Sequence, residues 1–298
     1  MPNRITLILV AAMIVVLIAS KDCFASRTVL TDDLGRTVVL NHPPSRIISL
    51  EPSVTEILYA VGASRKIVAD DFFSDYPLLA KHKIHVNGIA PSREMVVGLQ
   101  PDLIILFDQT FTVQKANSWQ RIYGAPVYVT NAGTYKAVEA DILHIGIIAG
   151  QVKTTKLVIG RMNHALTTVQ QAVLGRPRPK VFVVVWNRPL MTAGRGTFID
   201  NLISIAGGTD VASDTVSGYP TYSPERLLAD DPDIIITGAS LGDSIQRSGT
   251  VVAGLELRAQ RRGFCYSVPD DWTVRPGPRL ALGLVALAKV IHPECFRK

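Results

Sequence analysis

The chain of 298 residues is 47% hydrophobic and 19% charged, enough apolar material for two ordinary α/β domains with cores of their own. Its formal charge of +6 comes from basic residues scattered along the chain rather than clustered, which argues against a nucleic-acid partner. Three cysteines and six histidines, with no Cys or carboxylate cluster around any pair, argue against a metal site.

Arg4 precedes an apolar run from Ile5 to Ala19, about 15 residues long, within the signal-peptide range and short of the ~20 a membrane span requires. Residues 1–25 are read as a signal peptide with cleavage after Ala25, Ser20 being the alternative, and the rest as a periplasmic chain. Cys23 follows Ser20-Lys21-Asp22, which is not a lipoprotein pattern. No later segment is long and apolar enough to span a bilayer. Export leaves Cys265 and Cys295 in an oxidising compartment, so a disulfide between them is expected.

A strand over 46–50 leads into Pro52-Ser53-Val54-Thr55-Glu56, which opens a helix stopped by Gly62. The unit Ser92-Arg93-Glu94, six residues, then Pro101-Asp102 and Leu103-Ile104-Ile105-Leu106 follows. Ser92 is an N-cap, Glu94 sits in the first turn where the helix dipole favours negative charge, and the Pro-Asp pair stops the helix before a buried strand. The second half repeats this order. A Val-rich strand over 180–186 is followed by a helix over 197–206, the stop Gly207-Gly208, then Ser223-Pro224-Glu225 and Pro232-Asp233 before Ile234-Ile235-Ile236. Repeated strand–helix units predict two similar lobes with parallel sheets and a ligand between them. Between the halves, 135–174 contains no proline. A helix over 154–174 would be ~30 Å long, enough to run along both lobes until Arg176-Pro177-Arg178-Pro179 ends it. The organisation is thus 26–150 for the first lobe, 151–176 for the linking helix and 177–298 for the second lobe.

Three motifs carry less than their spelling. Gly238-Ala239-Ser240-Leu241-Gly242 matches a nucleophile elbow, with Asp271 and His292 downstream, but a loop follows where the elbow needs a helix; an exported hydrolase using Ser240 is therefore the lesser reading, and no catalytic residue is assigned. Gly194-Arg195-Gly196 lacks the third glycine of a dinucleotide fingerprint and is read as a tight turn. His82 and His85 are read as a solvated loop. More informative are the aromatic and polar residues just past strand ends, where open α/β sheets hold ligands: Phe72-Phe73-Ser74-Asp75-Tyr76-Pro77, Trp186-Asn187-Arg188, Gly218-Tyr219-Pro220 and Asp271-Trp272. Together they suit a large flat ligand with a few polar groups to orient it.

With the stretch Ile47-Ile48-Ser49-Leu50-Glu51-Pro52-Ser53-Val54-Thr55-Glu56, Phe73-Ser74-Asp75-Tyr76-Pro77, both Ser-x-Glu/Pro-Asp units, Thr192-Ala193-Gly194, Ala206-Gly207-Gly208 and Asp271-Trp272 before Arg275 and Pro278-Arg279, the chain resembles the periplasmic binding proteins of cobalamin and ferric-siderophore ABC importers. The likeness runs from about Arg46 to Pro293, and its Ser-Asp-Tyr-Pro and Asp-Trp segments resemble the corrinoid binders most. It implies an α/β fold of class III type: two three-layer lobes with mainly parallel sheets, joined by a single long helix, with small opening motions. It also implies a non-enzymatic monomer without intrinsic cofactor, carrying cobalamin or, as runner-up, a ferric siderophore, and less readily haem, to an inner-membrane permease dimer with its ATPase. By matching position, Phe73, Tyr76, Trp186, Tyr219, Asp271, Trp272 and Arg275 become ligand contacts, and Glu94 and Glu225 the carboxylates, one per lobe, that dock on permease arginines. Two positions depart from the pattern. Gly88 stands where corrinoid binders carry a tryptophan against the ring, and Ala206 occupies a family cysteine position. His85 is the candidate iron ligand if the cargo were haem.

Overall fold

The computed structural model describes residues 27–108, 110–214, 217–238 and 252–297; the expected signal peptide and Ser240 lie outside them. A hairpin of β1 (Thr28–Thr31) and β2 (Thr37–Leu40) precedes a sheet of β3 (Ile47–Ser49), β4 (Ile67–Asp71), β5 (Ile84–Val86), β6 (Leu103–Phe107) and β7 (Val127–Thr130). These five strands are all parallel, in the order β5-β4-β3-β6-β7. Their helices are α1 (Pro52–Ala60), α2 (Arg93–Gly98), α3 (Val113–Tyr123) and α4 (Tyr135–Ile148). Helix α5 (Val152–Val173, 22 residues) then leads to the second lobe. There β8 (Lys180–Val184), a short hairpin of β9 (Trp186–Asn187) and β10 (Leu190–Met191), β11 (Thr209–Asp210), β12 (Ile234–Gly238) and β13 (Cys265–Val268) alternate with helices. Those helices are α6 (Phe198–Ile205), α7 (Pro224–Asp230), α8 (Arg258–Arg261), α9 (Asp270–Thr273) and α10 (Leu280–Ile291). The second sheet is parallel in the order β11-β8-β12-β13. Among the described residues no helix is long and apolar enough to cross a membrane.

The repeated units fold alike down to single hydrogen bonds. Ser92 Oγ accepts from Met95 N at 3.4 Å and Ser223 Oγ from Arg226 N at 3.1 Å, each capping its helix. Gln100 and Asp231, just before the two prolines, both take left-handed backbone conformations (φ 46° and 40°). The aspartate of each Pro-Asp pair then turns back to the first strand of its lobe. Asp102 accepts from Arg46 N at 2.9 Å, and Asp233 from Lys180 N at 3.0 Å. Pro-Asp is therefore more than a helix stop: it ties β6 to β3 and β12 to β8, the central pair of each sheet.

Strand alternation divides the core. Ile48 and Ile104 face one apolar layer with Val96, Trp119 and Tyr123, while Ile47 and Ile105 face another with α1 and α4. That second layer is continuous across the molecule, running under α5 to Val181, Val183 and Ile236 and to Leu284 and Leu287 of α10. Polar ties cross the same boundary, since Tyr135 N donates to Asn201 Oδ1 at 2.8 Å and Tyr135 OH to the Met162 carbonyl at 2.9 Å.

The expected disulfide is corrected: Cys265 and Cys295 are both free thiols. Cys265 pairs in register with Ile235 and packs with it into the outer layer of the second lobe. Cys295 follows α10, whose Leu284, Leu287 and Ile291 belong to the layer on the opposite face of that sheet. Cys265 and the helix that leads to Cys295 thus pack on opposite faces of the sheet.

Asp141, in α4, is buried beside Asp33 of the β1–β2 turn, which itself accepts from Asn131 N at 2.7 Å. Burial first, then the Asp33 charge, push the Asp141 carboxyl up to about 9. With the folded-state pKa raised above its unfolded value, the folded chain holds a proton that the unfolded chain releases, so stability falls as pH climbs from the carboxylate range toward 9. Asp141→Asn keeps a donor and an acceptor without titrating. It is expected to raise stability by about 1 kcal/mol or more at pH 8 and to flatten the alkaline decline, read as urea midpoints; an unchanged pH profile would contradict this.

Candidate functional site

Each sheet reverses its winding between its two central strands, β3/β6 and β8/β12, and the loops past the carboxyl ends of these strands face one another. Between them lies a cavity of about 940 Å3. From the first lobe it is walled by Leu50 and Glu51 after β3, Phe72 and Phe73 after β4, Asn87 to Ile89 after β5, Phe107 at the end of β6 and Asp108 after it, with Phe111, Lys115 and Trp119 of the α3 region. The second lobe supplies Val185, Met191, Phe198, Ile199, Tyr219 and Val274. Phe73 and Ile89 are 72% and 82% exposed, so their apolar surface is open to an occupant.

Few charges enter this apolar space, and most are already tied. Asp71, 6% exposed, accepts from Phe73 N (2.8 Å) through Oδ1 and from Gly88 N (2.9 Å) through Oδ2. One carboxylate thus pins two cleft loops together. A Cβ on Gly88 would lie 2.5 Å from both Asp71 Oδ2 and the Leu50 carbonyl. Glu51 caps α1, accepting from Ser53 N at 2.6 Å and from the Ser53 hydroxyl. Burial pushes its carboxyl up to about 7, outweighing the Ser53 and Val54 donors and the Arg275 charge. Lys115 Nζ leans over Phe111, 4.5 Å from the ring centroid. Burial also pushes the Tyr219 phenol up, which keeps it neutral and able to donate.

Of the residues read from the sequence as ligand contacts, the structure brings Phe73 and Tyr219 into the lining of this cavity, one from each lobe. Trp186 is 56% exposed on β9, its Nε1 donating to the Arg188 carbonyl at 3.0 Å; its neighbour Val185 lines the cavity instead. Tyr76 lies under the Arg279 guanidinium (3.8 Å to the ring centroid) and lines a second cavity of about 500 Å3 bounded by α1, α5 and α10. Trp272 is half-buried in α9, outside the cavity walls. Asp271 and Arg275 form part of an ion-pair chain across the lobes, with Arg275 reaching Asp75 (2.6 Å) and Asp271 (3.1 Å), and Arg279 reaching Asp271 (3.3 Å) and Glu56 (2.8 Å). Glu94 and Glu225 are both exposed on the first turns of α2 and α7, and neither joins an ion pair among the described residues. His85 is no wall of the cleft: its Nδ1 sits 2.7 Å from Asp70 Oδ1, and among the described residues no His, Cys, Asp and Glu cluster is arranged to hold a metal. Gly196 (φ 83°) makes the tight turn read there, and Thr197 caps α6.

Sequence reasoning missed Asp71 and the Glu56, Asp75 and Arg279 partners. The only local signal was the Asp70-Asp71 pair at a strand end, an unusual place for two buried carboxylates.

The family model described as periplasmic binding protein matches residues 47–254, more than half of the chain. A vitamin B12-binding protein of Vibrio parahaemolyticus is 25% identical over 261 residues, covering 87% of this chain and 92% of that one. Among solved structures, the periplasmic vitamin B12 binding protein BtuF of Vibrio cholerae superposes with a TM-score of 0.75 at 24% identity, covering 86% of this chain and 99% of that one. The periplasmic heme-binding protein RhuT from Roseiflexus gives 0.72 at 23%, covering 84% and 99%. At these identities the structural likeness speaks for the fold.

Proposed function

The chain belongs to the periplasmic binding protein family, and from that premise we propose that it is the substrate-binding component of an ABC importer, capturing a corrinoid in the interlobe cleft. The observation that carries this reading is the cleft itself: Phe73 from the first lobe and Tyr219 from the second line about 940 Å3 of mostly apolar space. Such walls suit a flat, bulky, uncharged macrocycle. Glu51, titrating near neutrality, and the Tyr219 hydroxyl offer donors and acceptors to amide side chains on the ligand rim. A relative that binds vitamin B12 supports the same choice.

A ferric siderophore is the less favoured cargo. Many such complexes are anionic, and among the described residues lining the cleft Lys115 is the one lysine or arginine; Arg275 is turned to Asp75 and Asp271. Haem fits less well again, since His85, the candidate iron ligand, is bonded to Asp70. The protein works from the periplasm, releasing its ligand to an inner-membrane permease on which Glu94 and Glu225 dock, and it catalyses no reaction. The test is to purify the chain from periplasm and record the mass and absorption spectrum of whatever it carries. Corrin bands are expected; an iron–catecholate or iron–hydroxamate charge-transfer band would move the assignment to siderophore uptake.

A further inference from the structure

Two residues far apart in the chain hold the lobes together away from the linking helix. Arg279, just ahead of α10 in the second lobe, places Nε 2.8 Å from Glu56 Oε2 of α1 in the first, and its backbone amide donates to Glu56 Oε1 at 3.1 Å. The side chains are 12% and 2% exposed, so the pair is shielded from water and salt. The Tyr76 ring packs against the guanidinium on the first-lobe side. Asp271 accepts from Arg279 and pairs with Arg275, which continues the chain to Asp75.

The placement matters more than the strength. Glu56 and Arg279 form part of the wall of the second cavity, and Val158, Arg161 and Met162 of α5 form another part of it. Besides α5 and the Tyr135–Asn201 hydrogen bond, the lobes are therefore attached at this ion-pair chain, which is set off from α5 across a cavity of about 500 Å3. A single line of attachment leaves rocking about that line free. A second attachment displaced from it removes that freedom. A buried ion pair is a poor source of net stability, because desolvation offsets its attraction; burial indeed raises the Glu56 carboxyl in spite of Arg279. What such a pair does supply is direction, since the guanidinium and the backbone amide fix both carboxylate oxygens.

We propose that Glu56 and Arg279 are positioning residues that set the angle between the lobes, and through it the thickness of ligand the cleft accepts. The second half rests on the cleft being the ligand site; the first does not.

The experiment uses the mature protein with Cys265→Ser and Cys295→Ser, spin-labelled through Gln120→Cys on α3 and Leu228→Cys on α7, both exposed. Replacing the pair by Glu56→Leu with Arg279→Met leaves an apolar contact in place of the charges, so folding is retained. The melting temperature should stay close to that of the parent, while the interlobe distance distribution without ligand broadens about twofold or more. Release of cyanocobalamin should quicken about tenfold as preorganisation is lost. If the double variant does not fold, Glu56→Gln, which keeps a neutral hydrogen-bonding side chain, should give an intermediate broadening. An unchanged distance distribution in the folded variant overturns the proposal. A broadened distribution with unchanged release supports the lobe-angle assignment and counts against the cleft as ligand site.

Discussion

Glu94→Arg combined with Glu225→Arg is expected to abolish uptake and stimulation of the transporter ATPase, while ligand affinity and melting temperature remain near wild type. The two carboxylates hold the same place in the two repeats, one residue into α2 and α7, and both point to solvent without an ionic partner among the described residues. Each complements its own helix dipole by about 0.3–1 kcal/mol, too little for the double charge reversal to unfold the chain. On the proposed docking, a pseudo-symmetric pair of charges would match a two-fold permease carrying cationic pockets, one lobe to each subunit. Reversing both signs would then replace attraction by repulsion at both proposed contacts. Transport at normal rates by the double variant would remove the docking assignment.

Gly88 should prove irreplaceable. Any Cβ there meets the Leu50 carbonyl and Asp71 Oδ2 at 2.5 Å, and the first of these is backbone that has nowhere to move. Gly88→Ala is expected to cost roughly 1–3 kcal/mol through overpacking and to break the Asp71 link between the two cleft loops, weakening ligand binding about tenfold by the loss of a preorganised wall. Gly88→Trp, which supplies the aromatic side chain that corrinoid binders resembling this chain carry, should be worse than alanine rather than better. Tighter cobalamin binding by Gly88→Trp at unchanged stability would show that the loop is free to rearrange and that the Asp71 clamp does not govern it.

These two cases also mark what the sequence could and could not reveal. The repeat was legible because its signals are local: a serine cap, a glutamate in the first turn, a proline stop and an aliphatic strand, each answering to neighbours a few residues away. The position of the cleft followed from strand order and the loops at strand ends. The disulfide failed for a reason that two cysteines in a sequence cannot express. Whether they share a face of the sheet depends on register, and Cys265 follows Ile235 to the face opposite α10. Glu56, Asp75 and Arg279 were invisible as a set because their partners lie 200 and 223 residues away. Gly88 could be read only as a missing tryptophan. Its steric reason is a contact with the Leu50 carbonyl just past β3 and the Asp71 side chain at the end of β4, which the loop sequence does not contain.

The proposed function requires that a corrinoid bind in the cleft that Phe73 and Tyr219 line from the two lobes. Isothermal titration of the mature protein with cyanocobalamin measures this directly. A saturable isotherm of one site per chain is expected, and Tyr219→Ala should weaken it by roughly 1–3 kcal/mol, the order of the buried aromatic surface lost. Absence of heat with cyanocobalamin, together with tight binding of a ferric hydroxamate or catecholate, would contradict it.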